Sequence, residues 1–222
     1  LNKYIDHTLL KATATSEDII QLCQQAKQHN FYAVCINGCY VSLAKKHLKD
    51  SAIKIASVVG FPLGASASDI KVMEAKLAVE LGADEIDMVI NIGFLKNGRK
   101  KEVLEEIQEI KDAIGIKILK VILEVCYLSD EEIRVGCQLA KKAGADYVKT
   151  STGFGTRGAT VQAVKIMLEE VGGTMKVKAA GGIRNIKTAQ RYIKMGVSRI
   201  GTSSGIQIVA GDPKTDFDEH TY

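Results

Sequence analysis

The chain has 222 residues, 46% hydrophobic, 25% charged and 5% aromatic, a globular composition with length enough for one sizeable core. Its 30 Lys and Arg against 26 Asp and Glu leave a net charge of only +4, spread along the chain, which argues against a nucleic-acid partner. No run approaches membrane-spanning length, and LNKYIDHTLL at the start has no secretory-type apolar stretch.

Short β-branched runs recur through the chain: YIDHT (4–8), YAVCI (32–36), KIASVV (54–59), EIDMVI (85–90), KILKVIL (117–123), DYVKTS (146–151), MKVKAA (175–180) and SRIGTS (198–203). Helical patterns at about 16–29, 41–49, 68–82, 99–113, 129–144, 160–171 and 186–195 lie between them, and SSGIQIVAG adds a short one. In 68–82, Ser68 reads as the N-cap, Gly82 as the stop, and Ile70, Met73, Leu77 and Leu81 as the apolar stripe. In 129–144, Ser129 and Glu132 form a capping box, Gly144 ends the helix, and Ile133, Cys137 and Ala140 line one face. Thr160 caps the helix that follows it.

The returns in ELGADEIDM, KAGADYVKT and KMGVSRIGT are each a glycine stop, a tight turn and the next strand. Such short returns predict parallel βα units and, with seven or eight of them, a single-domain (β/α)8 barrel of α/β class. An open doubly wound sheet is the alternative, weakened because no glycine-rich dinucleotide fingerprint follows the first strand. The five cysteines, Cys23, Cys35, Cys39, Cys126 and Cys137, have no framework or zinc spacing and read as reduced cytoplasmic thiols. The polar DFDEHTY end predicts a mobile tail from about residue 212.

In a barrel the chemistry belongs at the carboxyl ends of the strands. Polar and small residues gather there: Asn37, the 60–64 GFPLG, Asp87 and Asn91, Glu124, the 149–152 KTST, Gly181 and Gly182, and Ser203 to Gly205. Lys149 and Lys178 are one βα unit apart, which puts them on neighbouring strands. Side by side and partly buried, two ammonium groups disfavour each other's charge, leaving an amine free to attack a carbonyl carbon. The plain alternative is that each lysine extends to solvent. Lys120, in KILKVILE, is not distinguished from Lys178 by periodicity. Asp87 sits in an apolar run, so it reads as a buried salt-bridge partner, a proton carrier, or both. His7 reads as a packing or hydrogen-bonded residue rather than a base.

Ser151, Thr152 and Gly153 leave room beside Lys149 and offer hydroxyls to orient a carbonyl substrate, with Phe154 as an apolar wall or a loop anchor. AAGGIRN (179–185) and GTSSG (201–205) expose backbone N–H groups, so Gly181, Gly182, Ser203 and Ser204 make an anion cradle. Arg184 adds charge to it or faces solvent.

These blocks resemble the deoxyribose-phosphate aldolase family of class I aldolases over essentially the whole chain. The resemblance lies in YIDHTLLK, GFPLGA, EIDMVIN, KVILE, GADYVKTSTGF, VKAAGGIR and RIGTSSG, in that order. It implies reversible cleavage of 2-deoxy-D-ribose 5-phosphate to D-glyceraldehyde 3-phosphate and acetaldehyde, with no metal or organic cofactor, in a cytoplasmic homodimer or homotetramer. It implies Lys149 as the Schiff-base lysine, Lys178 as the lysine that tunes it, and Asp87 as the acidic partner. Gly181, Gly182, Ser203 and Ser204 become the phosphate site, with Thr152 and Gly153 beside the substrate. Asp6, Thr8 and Tyr222, since family members often end in tyrosine, are accessory candidates. Gly38 stands where the family usually has proline, Val125 where it has threonine, and Arg157 where glycine is common. A phosphate-binding isomerase, an aldolase for another sugar phosphate, and a barrel kept only for binding are the competing readings. The isomerase would want a carboxylate base over the substrate rather than a lysine pair.

Overall fold

The eight β-branched runs pair in parallel and in sequence order, and the last closes onto the first. The computed structural model describes residues 1–211; the tail from about 212, with Tyr222, lies outside the described residues. The strands are β1 (Ile5–Leu9), β2 (Ala33–Ile36), β3 (Lys54–Val59), β4 (Glu85–Val89), β5 (Ile118–Ile122), β6 (Tyr147–Lys149), β7 (Lys176–Ala180) and β8 (Arg199–Thr202). Around them run α1 (Ser16–Gln28), α2 (Val41–Leu48), α3 (Ser68–Glu80), α4 (Ile92–Lys96), α5 (Lys100–Ile114), α6 (Asp130–Lys142), α7 (Val161–Val171), α8 (Ile186–Met195) and α9 (Gly205–Ala210). Among the described residues no helix is long and apolar enough to cross a membrane.

Local signals set the elements. The Ser129 hydroxyl accepts from Glu132 N and the Glu132 carboxylate accepts from Ser129 N, the reciprocal pair that starts α6. The Thr160 hydroxyl caps α7 by accepting from Ala163 N. Gly196 ends α8 at φ 110°, a turn a side chain would strain, and three residues later the chain is in β8. Helix α4 was not foreseen: Asn91 does not merely end a strand but accepts from Phe94 N and starts a helical turn.

Alternation along the strands sorts side chains into two cores. Ile5, Val34, Ile55, Ile86, Val121, Val148, Val177 and Ile200 face outward and pack on helix residues such as Leu22, Ile107, Ile133 and Met167. Ala56 and Val58 face inward with Cys35 and Leu10, a small apolar cluster capped by Phe61. The charged side chains of Asp6, Glu85, Asp87, Lys120, Lys149, Lys178 and Arg199 are buried in the same interior.

The stripe read on residues 68–82 is turned the other way. Ile70, Met73 and Leu77 are 56%, 66% and 54% exposed and Leu81 is half-buried, while Lys71, Ala75 and Ala78 face the sheet. The small alanines let α3 approach closely, and Lys71 finds a buried carboxylate on α5, Glu106, at 2.7 Å. The N-cap is Ala67, without a side-chain bond, rather than Ser68.

The three departures from the family pattern lie in turns. At Gly38 an added Cβ would meet only Ser57 Oγ at 3.6 Å, ordinary contact. Val125 is buried in the turn after β5. Arg157 lines a 160 Å³ cleft with Asp130 and Gln162 at the starts of α6 and α7.

Candidate active site

The barrel register sets Lys149 beside Lys178, Asp87 beside Lys120, and Lys178 beside Arg199. All five side chains point inward and are almost wholly buried. Asp87 is the hub. Its Oδ1 accepts from Lys120 Nζ at 2.7 Å, and its Oδ2 accepts from both Lys149 Nζ at 2.9 Å and Lys178 Nζ at 2.8 Å. The two nitrogens that share Oδ2 are therefore within about 6 Å of each other, close enough for strong mutual repulsion. Lys178 also lies 2.5 Å from Asp6 Oδ2, and Lys120 lies 2.5 Å from Glu85 Oε2. Arg199 bridges Asp6 at 2.7 Å and Glu85 at 2.9 Å. Gly201 makes this possible: a Cβ there would sit 3.0 Å from Lys178 Cε and 2.9 Å from Ala180 Cβ.

Four cations thus meet three carboxylates. Burial alone pushes Asp87 up, but Lys120, Lys149 and Lys178 outweigh it and hold the carboxyl well below the usual range. Asp6 is likewise raised by burial, then carried down to about 2 by Lys178 and Arg199. Burial pulls Lys178 down, yet Asp6 and Asp87 leave it raised above the ordinary lysine value. Lys120 behaves in the same way against Asp87 and Glu85. Lys178 is therefore a fixed positive charge beside Lys149, not a second free amine.

At the mouth, Thr152 is committed rather than free. Its hydroxyl donates to Glu124, its N–H lies 3.2 Å from the same carboxylate, and its oxygen accepts from Phe154 N at 2.9 Å. Gly153 follows at φ 88°. Phe154 packs edge-on against Phe61 at 5.3 Å between ring centres, so it is a rim contact joining two loops. The glycine pair and the serine pair sit at adjacent strand ends. Thr202 Oγ donates to Ile183 O at 2.6 Å and accepts from Ser204 N at 2.9 Å, which ties the two loops together. Gly182 and Ser203 are open to solvent.

Of the accessory candidates, Asp6 belongs to the cluster, whereas the Thr8 hydroxyl turns back onto Asp6 O at 2.8 Å. His7 lies on the outer face of β1, with Nε2 2.8 Å from Gln25 Oε1 and the ring against Phe31. Burial lowers its pKa. Lys176 shares a face with Lys178 but is exposed at the opposite end of the barrel, 5.7 Å from the Tyr147 ring. Lys120, which periodicity did not separate from Lys178, is the third lysine on Asp87. Sequence reading missed Glu85 and Arg199, although each lies two residues from an inward position, Glu85 before Asp87 and Arg199 before Gly201.

A closed parallel barrel whose carboxyl end carries a buried lysine sharing a carboxylate with a second cation has the parts a lysine-dependent carbon–carbon lyase needs. The family model for DeoC/LacD family aldolases matches residues 1–210. A deoxyribose-phosphate aldolase from Natranaerobius thermophilus is 57% identical over 210 residues, covering 94% of this chain and 96% of that protein. One from Aciduliprofundum boonei is 58% identical, covering 94% and 95%. A tetrameric deoxyribose phosphate aldolase of known structure from Aeropyrum pernix superposes with a TM-score of 0.87 at 32% identity, covering 94% of this chain and 89% of that one. The chain belongs to the DeoC/LacD aldolase family.

Proposed function

We propose that this chain reversibly cleaves 2-deoxy-D-ribose 5-phosphate to D-glyceraldehyde 3-phosphate and acetaldehyde through a Schiff base on Lys149. The observation that carries the assignment to Lys149 is its position: it shares Asp87 Oδ2 with Lys178 and is the outermost of the three lysines along the barrel, next to the Thr152 loop. Lys149 passes a proton from its ammonium to a water and attacks the C1 aldehyde of the open-chain sugar; that proton returns to the carbinolamine hydroxyl, which leaves as water to give an iminium. The iminium keeps a positive charge beside Asp87, so the charge balance of the cluster is preserved. The C3 hydroxyl gives up its proton as the C2–C3 bond breaks, and the bonding pair moves into the iminium to form an enamine. Glyceraldehyde 3-phosphate leaves. The enamine takes a proton at C2, and water releases acetaldehyde and the lysine.

Iminium formation leaves one N–H on Lys149 Nζ in place of three, still facing Asp87 Oδ2. That oxygen, with Lys178, then passes protons through a water. Gly181, Gly182, Ser203 and Ser204 hold the phosphate by backbone N–H and hydroxyl donors, and anchoring that remote end orients C1 at the amine. Beyond Lys149 no group need form a covalent bond to the sugar. We place the enzyme in the cytoplasm, which suits five free cysteines, and as a homodimer or homotetramer.

Borohydride reduction in the presence of acetaldehyde, followed by peptide mapping, tests the assignment. The expected product is an ethyl adduct on Lys149, absent from Lys149→Ala, which also loses turnover. An adduct on Lys120 or Lys178, or none, would remove the proposal.

A further inference from the structure

Glu124 follows β5 and adopts a left-handed backbone, φ 56° and ψ 66°, one of two described non-glycine residues at positive φ. Such a conformation is strained for a residue with a side chain and persists where the surroundings demand it. What surrounds Glu124 is the loop after Lys149. Its carboxylate, 2% exposed, takes both the hydroxyl and the N–H of Thr152, and Cys126 Sγ lies 3.8 Å from Oε1. Gly155 is pressed onto the same group: a Cβ there would lie 2.6 Å from Cys126 Sγ and 3.1 Å from Glu124 Cδ. Between the anchor at Thr152 and Lys149 lies Ser151, whose fully buried hydroxyl has no hydrogen-bond partner among the described residues. The group is buried yet poorly supplied with charge. Burial drives the Glu124 carboxyl above its ordinary value, against the Thr152 bonds and the charge of Lys149.

We infer that Glu124 is a positioning residue: through Thr152 its carboxylate holds the 151–155 loop so that the unpartnered Ser151 hydroxyl meets the hydroxyl-bearing part of a sugar bound on Lys149. This rests on Lys149 as the amine that binds the sugar. It separates two events. Imine formation with acetaldehyde, which has no hydroxyl to orient, does not use the loop. Cleavage of the sugar phosphate does, and a misplacement of about 1 Å can cost about 100-fold.

Glu124→Ala is expected to keep the wild-type rate of acetaldehyde trapping on Lys149 while kcat/KM for 2-deoxyribose 5-phosphate falls about 100-fold, mostly in kcat. Glu124→Gln, whose amide oxygen still accepts from Thr152, should recover to within about fivefold of wild type; Thr152→Val combined with Glu124→Ala should be no worse than the more severe single variant. Cleavage by Glu124→Ala within threefold of wild type would overturn the role. So would loss of trapping together with cleavage, since Glu124 would then act on Lys149 or on folding. Glutamine as inactive as alanine, with trapping intact, would also overturn it, because charge rather than acceptor geometry would be at work. Failure of the wild type itself to trap acetaldehyde on Lys149 would count against the proposed function instead, and is read first.

Discussion

Among the described residues lysine is buried against carboxylate in two places, and the two differ in stoichiometry. Outside the barrel, Lys71 on α3 meets Glu106 on α5 at 2.7 Å, and Lys71 also donates to Val89 O at 2.9 Å while Glu106 accepts from Asn91 N at 3.1 Å. One cation faces one anion, and backbone groups satisfy the remainder. Gly60 leaves space for the chain of Lys71, since a Cβ there would lie 2.8 Å from its Cε. The pair ties α3 and α5 to the carboxyl end of β4 and leaves nothing over for chemistry. Inside the barrel, four cations share three carboxylates and one oxygen of Asp87 serves two ammonium groups. A buried lysine with its own anion is neutralised by it; inside the barrel one carboxylate oxygen is divided between two ammonium groups that repel each other.

Changing the shared site should have the largest effect. Lys178→Leu removes the fixed charge beside Lys149 and frees Asp6 and Asp87 from one partner. We expect kcat/KM to fall about 1000-fold, about 4 kcal/mol of transition-state stabilisation. Steady-state cleavage within tenfold of wild type would mean that Lys178 does not tune the amine.

The paired site should answer in stability instead. Lys71→Met leaves Glu106 buried without its cation, and breaking such a pair costs about 3 to 5 kcal/mol. Urea unfolding should show that loss while kcat per folded molecule stays within about threefold. A large drop in kcat with stability unchanged would reverse the comparison.

Acid distinguishes the two sites by sign. Asp6 is depressed to about 2 in the folded protein, so its stabilisation is complete above the unfolded value and is lost as the pH falls through the folded one. The interior cluster should therefore weaken between about pH 4 and pH 2, with Asp6 contributing about 2 kcal/mol. Glu106 is raised by burial, against Lys71, so its contribution runs the other way and improves as it takes up a proton. Unfolding midpoints measured across that range should fall less steeply for Asp6→Asn than for wild type; an equal slope would take Asp6 out of the account. The smallest effect is expected at Met73, on the face of α3 opposite Lys71. Met73→Ser should change stability by less than about 0.5 kcal/mol, and a loss of 2 kcal/mol or more by thermal unfolding would contradict the orientation of that helix.

Much of this was legible in the residues. The eight βα units, their order, the Ser129–Glu132 box and the Thr160 cap are local signals, written within a few residues of where they act. Lys149 and Lys178 fall on neighbouring strands because one βα unit separates them, and Asp87 is conspicuous because an isolated carboxylate in an apolar run needs a partner. The resemblance of seven blocks to one family carried the reading from a lysine site to a particular reaction.

What local pattern could not decide was which side of an element faces in, and which charge meets which. The spacing of Ile70, Met73 and Leu77 gives a stripe but not its direction; that depended on Glu106, 35 residues beyond Lys71 and on another helix. Period-two alternation puts Lys120 on one face of β5, but only closure and register of the barrel bring it to Asp87, 33 residues away, and bring Lys178 there from 91. The chain itself determined the units and the residue types able to do the chemistry, because helix and strand periodicities are properties of neighbouring residues. The tertiary structure alone decided how three carboxylates are divided among four cations, because that division is made by groups far apart in the chain that meet only inside the closed barrel.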